Sequence, residues 1–226
     1  MTSFDRYKFD DRLDHPTRQL VAQLLTETPR TLHVAESECR DFSLFDDIRL
    51  FMQGVDKAGL PYLEGLGRML GAAYGIEEAL NNAPIPRGLC HNDLVPQNFI
   101  KTETSMLLVD FDYAGKAWFA IDLACATSQF EMTDDEVEDF LRMYDGDLDD
   151  DQICRLRVLK FCNDLREAVW TIMTEPLMSE ETTTFDDWSY SYHRDFNLDQ
   201  ARRAYADPHF NVTCDQAAYV RLGALF

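Results

Sequence analysis

One segment of this chain, residues 89–114, breaks the helical periodicity found elsewhere and therefore limits the folds that the chain can adopt. Two of its short apolar runs, FI at 99–100 and MLLVDF at 106–111, are separated by the polar run 101–105. Short apolar runs with turn residues between them predict a β-hairpin. On both sides of this segment, apolar residues recur at the spacing of helices. The sequence therefore predicts an α+β domain that is predominantly helical, with a small β-hairpin at its centre.

Helical segments are predicted before and after the hairpin. An aspartate, a histidine and a proline at 14–16 begin the first helix, and Thr133 with Glu136 forms a capping box for another. The glycines at 65 and 67 lie in a helical period, so we interpret them as close helix packing and not as a nucleotide loop. Residues 1–12 are assigned to an extended arm. The other predicted helices cover 42–55, 61–80, 149–173, 197–207 and 213–226, with a less regular aromatic-rich stretch at 182–196.

Charge and composition limit the partners of this chain. The formal net charge is −20, from 41 acidic and 21 basic residues, which argues against nucleic acid or an anionic membrane as partner. This charge suits a small cationic ligand, although most charge of this kind is solvated surface. The six cysteines include no C-x-x-C pair, and no secretory signal or long apolar run occurs. We therefore expect a cytoplasmic protein with reduced thiols.

The central segment contains polar residues at the spacing of a phosphotransfer site. Phosphoryl transfer needs a carboxylate that orients and deprotonates the attacking hydroxyl, and oxygen ligands for the magnesium on the phosphates. His91 and Asp93 form an H-x-D motif, Asn98 follows five residues after Asp93, and Asp110 ends an apolar run. We predict Asp93 as the catalytic base and Asn98 and Asp110 as Mg²⁺ ligands. The alternative is a polar hairpin whose side chains only cap backbone groups.

The strings LCHNDLVPQNFI (89–100), LLVDFDYAG (107–115) and FAIDLA (119–124) together resemble the choline/ethanolamine kinase family and, more broadly, the aminoglycoside phosphotransferase-like kinases. H-N-D followed by D-F-x-Y-A-G is more similar to choline kinases than to aminoglycoside kinases. The resemblance implies a protein-kinase-like fold, with His91 and Asp122 supporting the catalytic loop. It also implies ATP as the phosphate donor, Mg²⁺ as cofactor, and the hydroxyl of a small cationic amino alcohol as acceptor.

The resemblance extends to residues that would bind the acceptor and covers about residues 30–200. The strings LREAVWTIM (165–173) and TTTFDDWSYSYHRDF (182–196) are similar to family segments. They imply that Trp170 and Tyr190 face a quaternary ammonium group, whose charge is attracted to aromatic faces. The resemblance also assigns Asp112 to the substrate, whereas a place in the helical core is an equal alternative for Trp170. Val95 and Glu167 depart from residues found in some choline kinases, so thiamine, an aminoglycoside or a sugar remain alternative acceptors.

Enzymes of this kind also carry a smaller N-terminal lobe, with a glycine-rich loop and a strand lysine that hold the phosphates. This chain has no glycine before Gly54, and Lys8 is the only lysine before Lys57. We therefore expect an arm and the helix after the hinge in 1–30, the C-terminal lobe in 31–226, and no nucleotide lobe. A truncated chain of this kind would be weakly active or inactive alone, or a non-catalytic amine-binding module. The apolar surface left by a missing lobe would favour a homo-oligomer.

Overall fold

The structure, a computed structural model, describes residues 5–6, 15–31, 39–82, 87–102, 105–144, 150–177, 184–185 and 188–207. The chain divides into two compact units, the first formed by 1–42 and 86–156 and the second by 43–85 and 157–226. Helices dominate and the sheets are small, so the predicted fold class is confirmed. Among the described helices, none combines the length and apolar character that crossing a bilayer requires.

The described residues of the first unit form two small antiparallel sheets. In one, strand β3 (Phe99–Lys101) pairs on one side with β1 (Asp5–Arg6) and on the other with β4 (Met106–Leu108). In the second sheet, β2 (Arg87–Cys90) pairs with β5 (Gly115–Trp118). The predicted hairpin is confirmed as β3–β4. The β2–β5 pair was not predicted, because its two strands lie on either side of that hairpin in the sequence.

In the part of the first unit that the structure describes, the helices α1 (His15–Thr31), α4 (Phe119–Gln129) and α5 (Asp134–Tyr144) lie wholly within the unit. Helix α6 (Asp150–Thr174) begins in this unit and continues into the second. A phenylalanine of the hairpin, Phe99, is fully buried and meets the ring of Phe130 edge-on at 5.2 Å between centroids. The hairpin is therefore anchored in the apolar core of the unit, beside the end of α4.

One glutamate joins α1 to the start of α5. The Oε2 atom of Glu136 accepts the backbone N–H of Thr133 at 2.9 Å, and Glu136 N donates to Thr133 Oγ1 at 3.4 Å, which confirms the predicted capping box. The Oε1 atom of the same carboxylate accepts a hydrogen bond from the Arg18 guanidinium at 3.0 Å. A second bond from Arg18 reaches Asp139 at 3.2 Å. Both carboxylate oxygens of Glu136 therefore accept hydrogen bonds.

The second unit is a set of helices. It contains α2 (Leu44–Lys57), α3 (Leu66–Asn81), the later part of α6, the short strands β6 (Thr184–Phe185) and β7 (Trp188–Ser189), and α7 (Tyr190–Ala206). Ser43 begins α2 by accepting the N–H of Asp46 at 3.2 Å. Gly54 allows α2 to lie against α6, because a Cβ atom there would collide with the side chain of Met173.

Three predictions about the second unit are wrong. The segment 190–206 is one regular helix that Ser189 caps, and not an irregular stretch followed by a separate helix. The buried positions include His193 and Asn197, and these polar residues hide the apolar period in the sequence. Helix α3 begins at 66 and not at 61. A Cβ at Gly67 would have no other element within 4 Å, so the helix-packing interpretation also fails there. The helix predicted at 213–226 lies outside the described residues.

Candidate active site

The Asp122 carboxylate in the first turn of α4 holds the backbone of the loop that follows β2. Its two oxygens accept the N–H groups of His91 and Asn92, each at 2.8 Å. Hydrogen bonds to an ionised acceptor are roughly twice as strong as neutral ones. Burial raises the pKa of Asp122 above its usual range, and the N–H groups of Asn92 and His91 oppose this rise because they favour the carboxylate. One side chain therefore fixes the two residues that precede Asp93.

His91 connects this loop to the segment that ends in Asp110. The residue is 1% exposed, and Nε2 lies 3.0 Å from the carbonyl oxygen of Val109. Since that acceptor cannot donate, Nε2 carries the hydrogen and the imidazole Nδ1 has none if the ring is neutral. The ring also meets Phe111 edge-on, at 4.7 Å between centroids. His91 thus contacts the residues on both sides of Asp110.

Asn98 contacts both Asp93 and the segment before Asp110. Its amide nitrogen donates to the Asp93 carbonyl oxygen at 2.8 Å and to the Asp93 carboxylate Oδ2 at 3.1 Å. Its backbone carbonyl accepts the N–H of Val109 at 3.0 Å, which extends the β3–β4 pairing by one residue. A 3₁₀ turn, Pro96–Asn98, brings the chain from the loop into β3. The three residues that the sequence singled out are therefore linked through Asn98.

Two residues of this region lie in the left-handed region of backbone space. Asn92 has φ 64° and Asp110 has φ 65°. Only a few per cent of residues other than glycine adopt such angles, and asparagine and aspartate do so most readily. Both residues therefore combine a strained backbone with a side chain that tolerates the strain. Strain of this kind clusters at functional sites.

The oxygen atoms at this site fit a magnesium ion. Mg²⁺ takes hard oxygen ligands, and it is commonly held by one or two carboxylates together with substrate phosphates and waters. Within the described ranges, the exposed Asp110 carboxylate and the Oδ1 atom of Asn98 make no hydrogen bond. In that same part of the chain, no group of three His, Cys, Asp or Glu side chains is placed to hold a metal. The donors thus suit an ion that phosphates help to bind.

The loop after Asp110 is held through its carbonyl groups. The buried side chain of Asn92 donates to the carbonyl oxygen of Tyr113 at 3.0 Å and, more weakly, to that of Gly115 at 3.5 Å. Arg40 donates to the carbonyl oxygen of Asp112, the residue that the resemblance assigns to the substrate. The side chain of Asp112 is exposed. Sequence reasoning missed Arg40, which stands in no motif or periodic pattern.

In the second unit, the structure brings Trp170 and Tyr190 together. Their ring centroids lie 5.6 Å apart with the planes tilted by 33°. Trp170 is half-buried, whereas Tyr190 is only 8% exposed. His193 meets Trp170 edge-on at 6.2 Å between centroids. The pair joins α6 to the first turn of α7 and leaves part of the indole accessible.

A buried ionic network lies one turn from this aromatic pair. Glu167 accepts hydrogen bonds from Arg166 at 2.5 Å and from His193 Nε2 at 3.2 Å. Arg166 also bonds to Asp47 of α2, at 2.9 Å. Burial acts to raise the pKa of Glu167, but the Arg166 charge and the His193 hydrogen bond outweigh it and lower that pKa. The sequence marked Glu167 only as a departure from the family and did not identify its partners.

The family to which the chain belongs follows from comparison with known proteins. A model of the phosphotransferase enzyme family (APH) matches residues 11–154, more than half of the chain. The chain therefore belongs to the phosphotransferase enzyme family, and the predicted resemblance is confirmed.

The chain is also similar in sequence to an individual curated protein. Protein LicA of Haemophilus influenzae is 27% identical over 154 residues, which are 64% of this chain and 57% of that protein. A second LicA sequence from the same organism is also 27% identical, with 45% of its length matched. The chain thus spans about half the length of the curated relatives it matches.

Solved structures share the fold of this chain. A choline/ethanolamine kinase family protein from Mesorhizobium loti superposes with a TM-score of 0.78 at 19% identity, covering 96% of this chain and 70% of that one. Choline kinase LicA from Streptococcus pneumoniae gives 0.64 at 22% identity, with 89% and 68% covered. A LicA structure in complex with AMP gives 0.64 at 20% identity, with 89% and 66% covered. The predicted kinase-like fold is therefore confirmed.

Proposed function

We propose that this chain carries the base and the metal ligands of a choline-kinase-like phosphotransferase, which transfers the γ-phosphate of ATP to the hydroxyl of a small amino alcohol such as choline or ethanolamine. The observation that carries the proposal is the position of Asn98. Its side chain bonds to Asp93, and its backbone bonds to Val109, the residue before Asp110. Asn98 therefore connects the proposed base, Asp93, to the segment that carries the other proposed metal ligand, Asp110. The AMP complex of LicA supports a nucleotide as the phosphate donor.

Asp93 is the proposed general base. Its Oδ2 atom accepts the Asn98 amide at 3.1 Å, which restricts the orientation of the carboxylate. A base in this position takes the hydroxyl proton as the oxygen attacks the phosphorus, and such catalysis contributes about 10²- to 10⁴-fold. Asp122 and His91 would keep the loop in place through the backbone contacts described above.

Asn98 Oδ1 and the Asp110 carboxylate are the proposed ligands of Mg²⁺. When bound, the ion neutralises charge on the phosphate oxygens of the nucleotide. The protein would present two hard oxygen donors, on two residues whose backbone segments are held together. The bond between Asn98 O and Val109 N at 3.0 Å does this, because Asp110 is the next residue.

Trp170 and Tyr190 are proposed to bind the amine end of the acceptor. A half-buried indole attracts a cation by about 1 kcal/mol or more, depending on how far the cation is desolvated. The net charge of −20 favours the approach of a cation. Glu167 is already paired with Arg166 and His193, so aromatic faces and not this carboxylate would hold the charge. Asp112 is proposed as a further contact with the acceptor.

Titration calorimetry with choline, ethanolamine, thiamine and kanamycin tests the acceptor. We expect the amino alcohols to bind and Trp170→Ala to weaken their binding about fivefold or more. Tyr62→Ala, which removes an exposed aromatic ring of the same unit, is the matched control and keeps the affinity. Tighter binding of thiamine or kanamycin than of the amino alcohols would instead indicate that compound as the acceptor. Binding of none of the four would refute amine recognition.

A phosphate-transfer assay tests the base. Because the sequence has no glycine-rich loop or strand lysine ahead of its first motif, we propose that this chain alone transfers phosphate weakly from Mg-ATP. Whatever transfer is measured should fall about 100-fold or more in Asp93→Asn. Transfer that survives this substitution would refute Asp93 as the base. Robust transfer by the unaltered chain would refute the need for a further phosphate clamp.

A further inference from the structure

The loop from Asp110 to Gly115 has an exposed partner that no motif identifies. The Arg40 guanidinium donates through Nη2 to the carbonyl oxygen of Asp112 and through Nε to that of Ala114, at 3.3 Å. Its carbon Cζ also lies 5.9 Å from the centroid of the Tyr113 ring. One side chain therefore contacts three successive residues of the loop.

The backbone of Arg40 is itself fixed beside the loop. Its carbonyl accepts the N–H of Lys116 at 2.8 Å, and Phe42 N donates to Lys116 O at 3.1 Å, so the segment lies along β5. This approach requires a glycine at 115, because a Cβ there would lie 2.9 Å from the Arg40 carbonyl oxygen. The guanidinium therefore starts from a defined position and does not have to find the loop from a mobile segment.

Arg40 and Asn92 hold alternate carbonyl groups of the loop. The Asn92 amide bonds to the carbonyl oxygens of Tyr113 and Gly115, whereas Arg40 bonds to those of Asp112 and Ala114. Asn92 is buried and Arg40 is exposed, so the loop is held from the protein interior and from the solvent side. Two carbonyls separated by one residue suit the planar fork of arginine, which a lysine ammonium cannot reproduce.

We propose that Arg40 is a positioning residue that fixes the 110–115 loop and thereby the carboxylate of Asp110. Arg40 bonds to the loop backbone, and its action on a bound metal passes through Asp110. The inference rests on the proposed function where it concerns the metal. Where it concerns the order of the loop, it stands on the hydrogen bonds alone.

Hydrogen exchange measured by mass spectrometry tests the effect on the loop. The amides of Ala114 and Lys116 are hydrogen-bonded, so their exchange reports opening of this segment. We expect Arg40→Met to speed exchange in a peptide covering 110–118 about fivefold, and Arg40→Lys to do so nearly as much. Arg142→Met, an exposed arginine of the same unit, is the control and leaves this peptide unchanged. Unchanged exchange in Arg40→Met would overturn the proposal, and full retention by Arg40→Lys would overturn the argument from the guanidinium fork.

Binding of Mn²⁺, followed by electron paramagnetic resonance, tests the effect on Asp110. We expect Arg40→Met to weaken binding about fivefold and Asp110→Asn to abolish it. Faster exchange with unchanged Mn²⁺ affinity in Arg40→Met would overturn the positioning role and reduce Arg40 to a structural contact. Mn²⁺ binding that survives Asp110→Asn would instead refute the proposed metal site, while the exchange result would still decide whether Arg40 orders the loop.

Discussion

The imidazole of His91 donates a hydrogen bond to the backbone carbonyl of Val109 across 3.0 Å. Val109 is one residue from Asp110, and its own N–H is bonded to the carbonyl of Asn98. Both polar backbone groups of Val109 are thus bound by residues of the H-N-D-x-x-x-x-N segment. The backbone next to Asp110 cannot shift without breaking contacts to that segment, which links the order of the two loops.

Replacement of His91 by leucine should uncouple the two loops. It leaves the half-buried carbonyl of Val109 without its donor, and the loss of such a hydrogen bond costs about 0.5–1.5 kcal/mol. His91→Gln keeps a side-chain N–H of similar reach and should recover part of this loss. Urea denaturation at neutral pH measures both free energies of unfolding. Equal stability of His91→Leu and the unaltered protein would mean that the hydrogen bond contributes nothing.

Asp122→Asn should destabilise the first unit. An amide can accept through its oxygen but presents an NH₂ group to the second backbone N–H, so one of the two bonds is lost. We expect a loss of about 1–3 kcal/mol, measured by chemical denaturation. Asp134→Asn, an exposed change in the first turn of α5, is the control and should cost less than about 0.5 kcal/mol. A loss no larger than in the control would show that the carboxylate is not needed to fix the loop.

Glu167 should make the second unit sensitive to acid. Its pKa is lowered in the folded protein, so its contribution to stability is complete above the usual glutamate pKa of about 4.3 and is lost as the pH falls through the folded pKa. Removing one partner of a buried ion pair costs about 3–5 kcal/mol, so Glu167→Gln should be strongly destabilised near neutral pH. It should then lose less stability than the unaltered protein on further acidification.

Unfolding free energies measured from about pH 7 to about pH 3 test this expectation, since that range spans the usual glutamate pKa. Glu78→Gln removes an exposed carboxylate of the same unit and should change stability by less than about 0.5 kcal/mol. Parallel stability curves for Glu167→Gln and the unaltered protein would contradict the lowered pKa.

Two glycine-to-alanine substitutions should change the stability of the protein in opposite directions. Gly115→Ala places a Cβ 2.9 Å from the Arg40 carbonyl oxygen and 3.2 Å from Phe42 Cβ, so the backbone must move. We expect this movement to lower the free energy of unfolding by about 1–3 kcal/mol. Gly71→Ala adds a methyl group on an exposed face of α3 with no atom of another element within 4 Å, and should stabilise by about 0.5–1 kcal/mol. Thermal unfolding compares the two variants. A neutral Gly115→Ala would mean that the Arg40 segment is not held closely against β5.

The parts of the structure that depend on local spacing could be predicted from the sequence. The β3–β4 hairpin follows from two apolar runs, and the start of α5 follows from Thr133 and Glu136, whose spacing matches the reach of the capping bonds. Asp93 and Asn98 are close in the chain, so their spacing was sufficient to predict that their side chains meet.

The contacts made between distant parts of the chain could not be predicted. Arg40 reaches the 110–115 loop through backbone pairing with β5, and no period in the sequence indicates such a pairing. In α7, the buried His193 is stabilised by Glu167 of another helix, so a polar residue occupies a position where the pattern requires an apolar one. Tertiary hydrogen bonds of this kind override the local signal.

The carboxylate of Glu136 serves two helices at once, which has a practical consequence for trimming the chain. A shortened protein that begins after Arg18 would lose both the bond that Arg18 makes to Glu136 and the one that it makes to Asp139. Helix α5 would then keep its capping box but lose these two side-chain bonds to α1, although every residue of α5 was still present. Domain boundaries chosen for expression therefore belong ahead of α1, even if the only region of interest is the loop around Asp93.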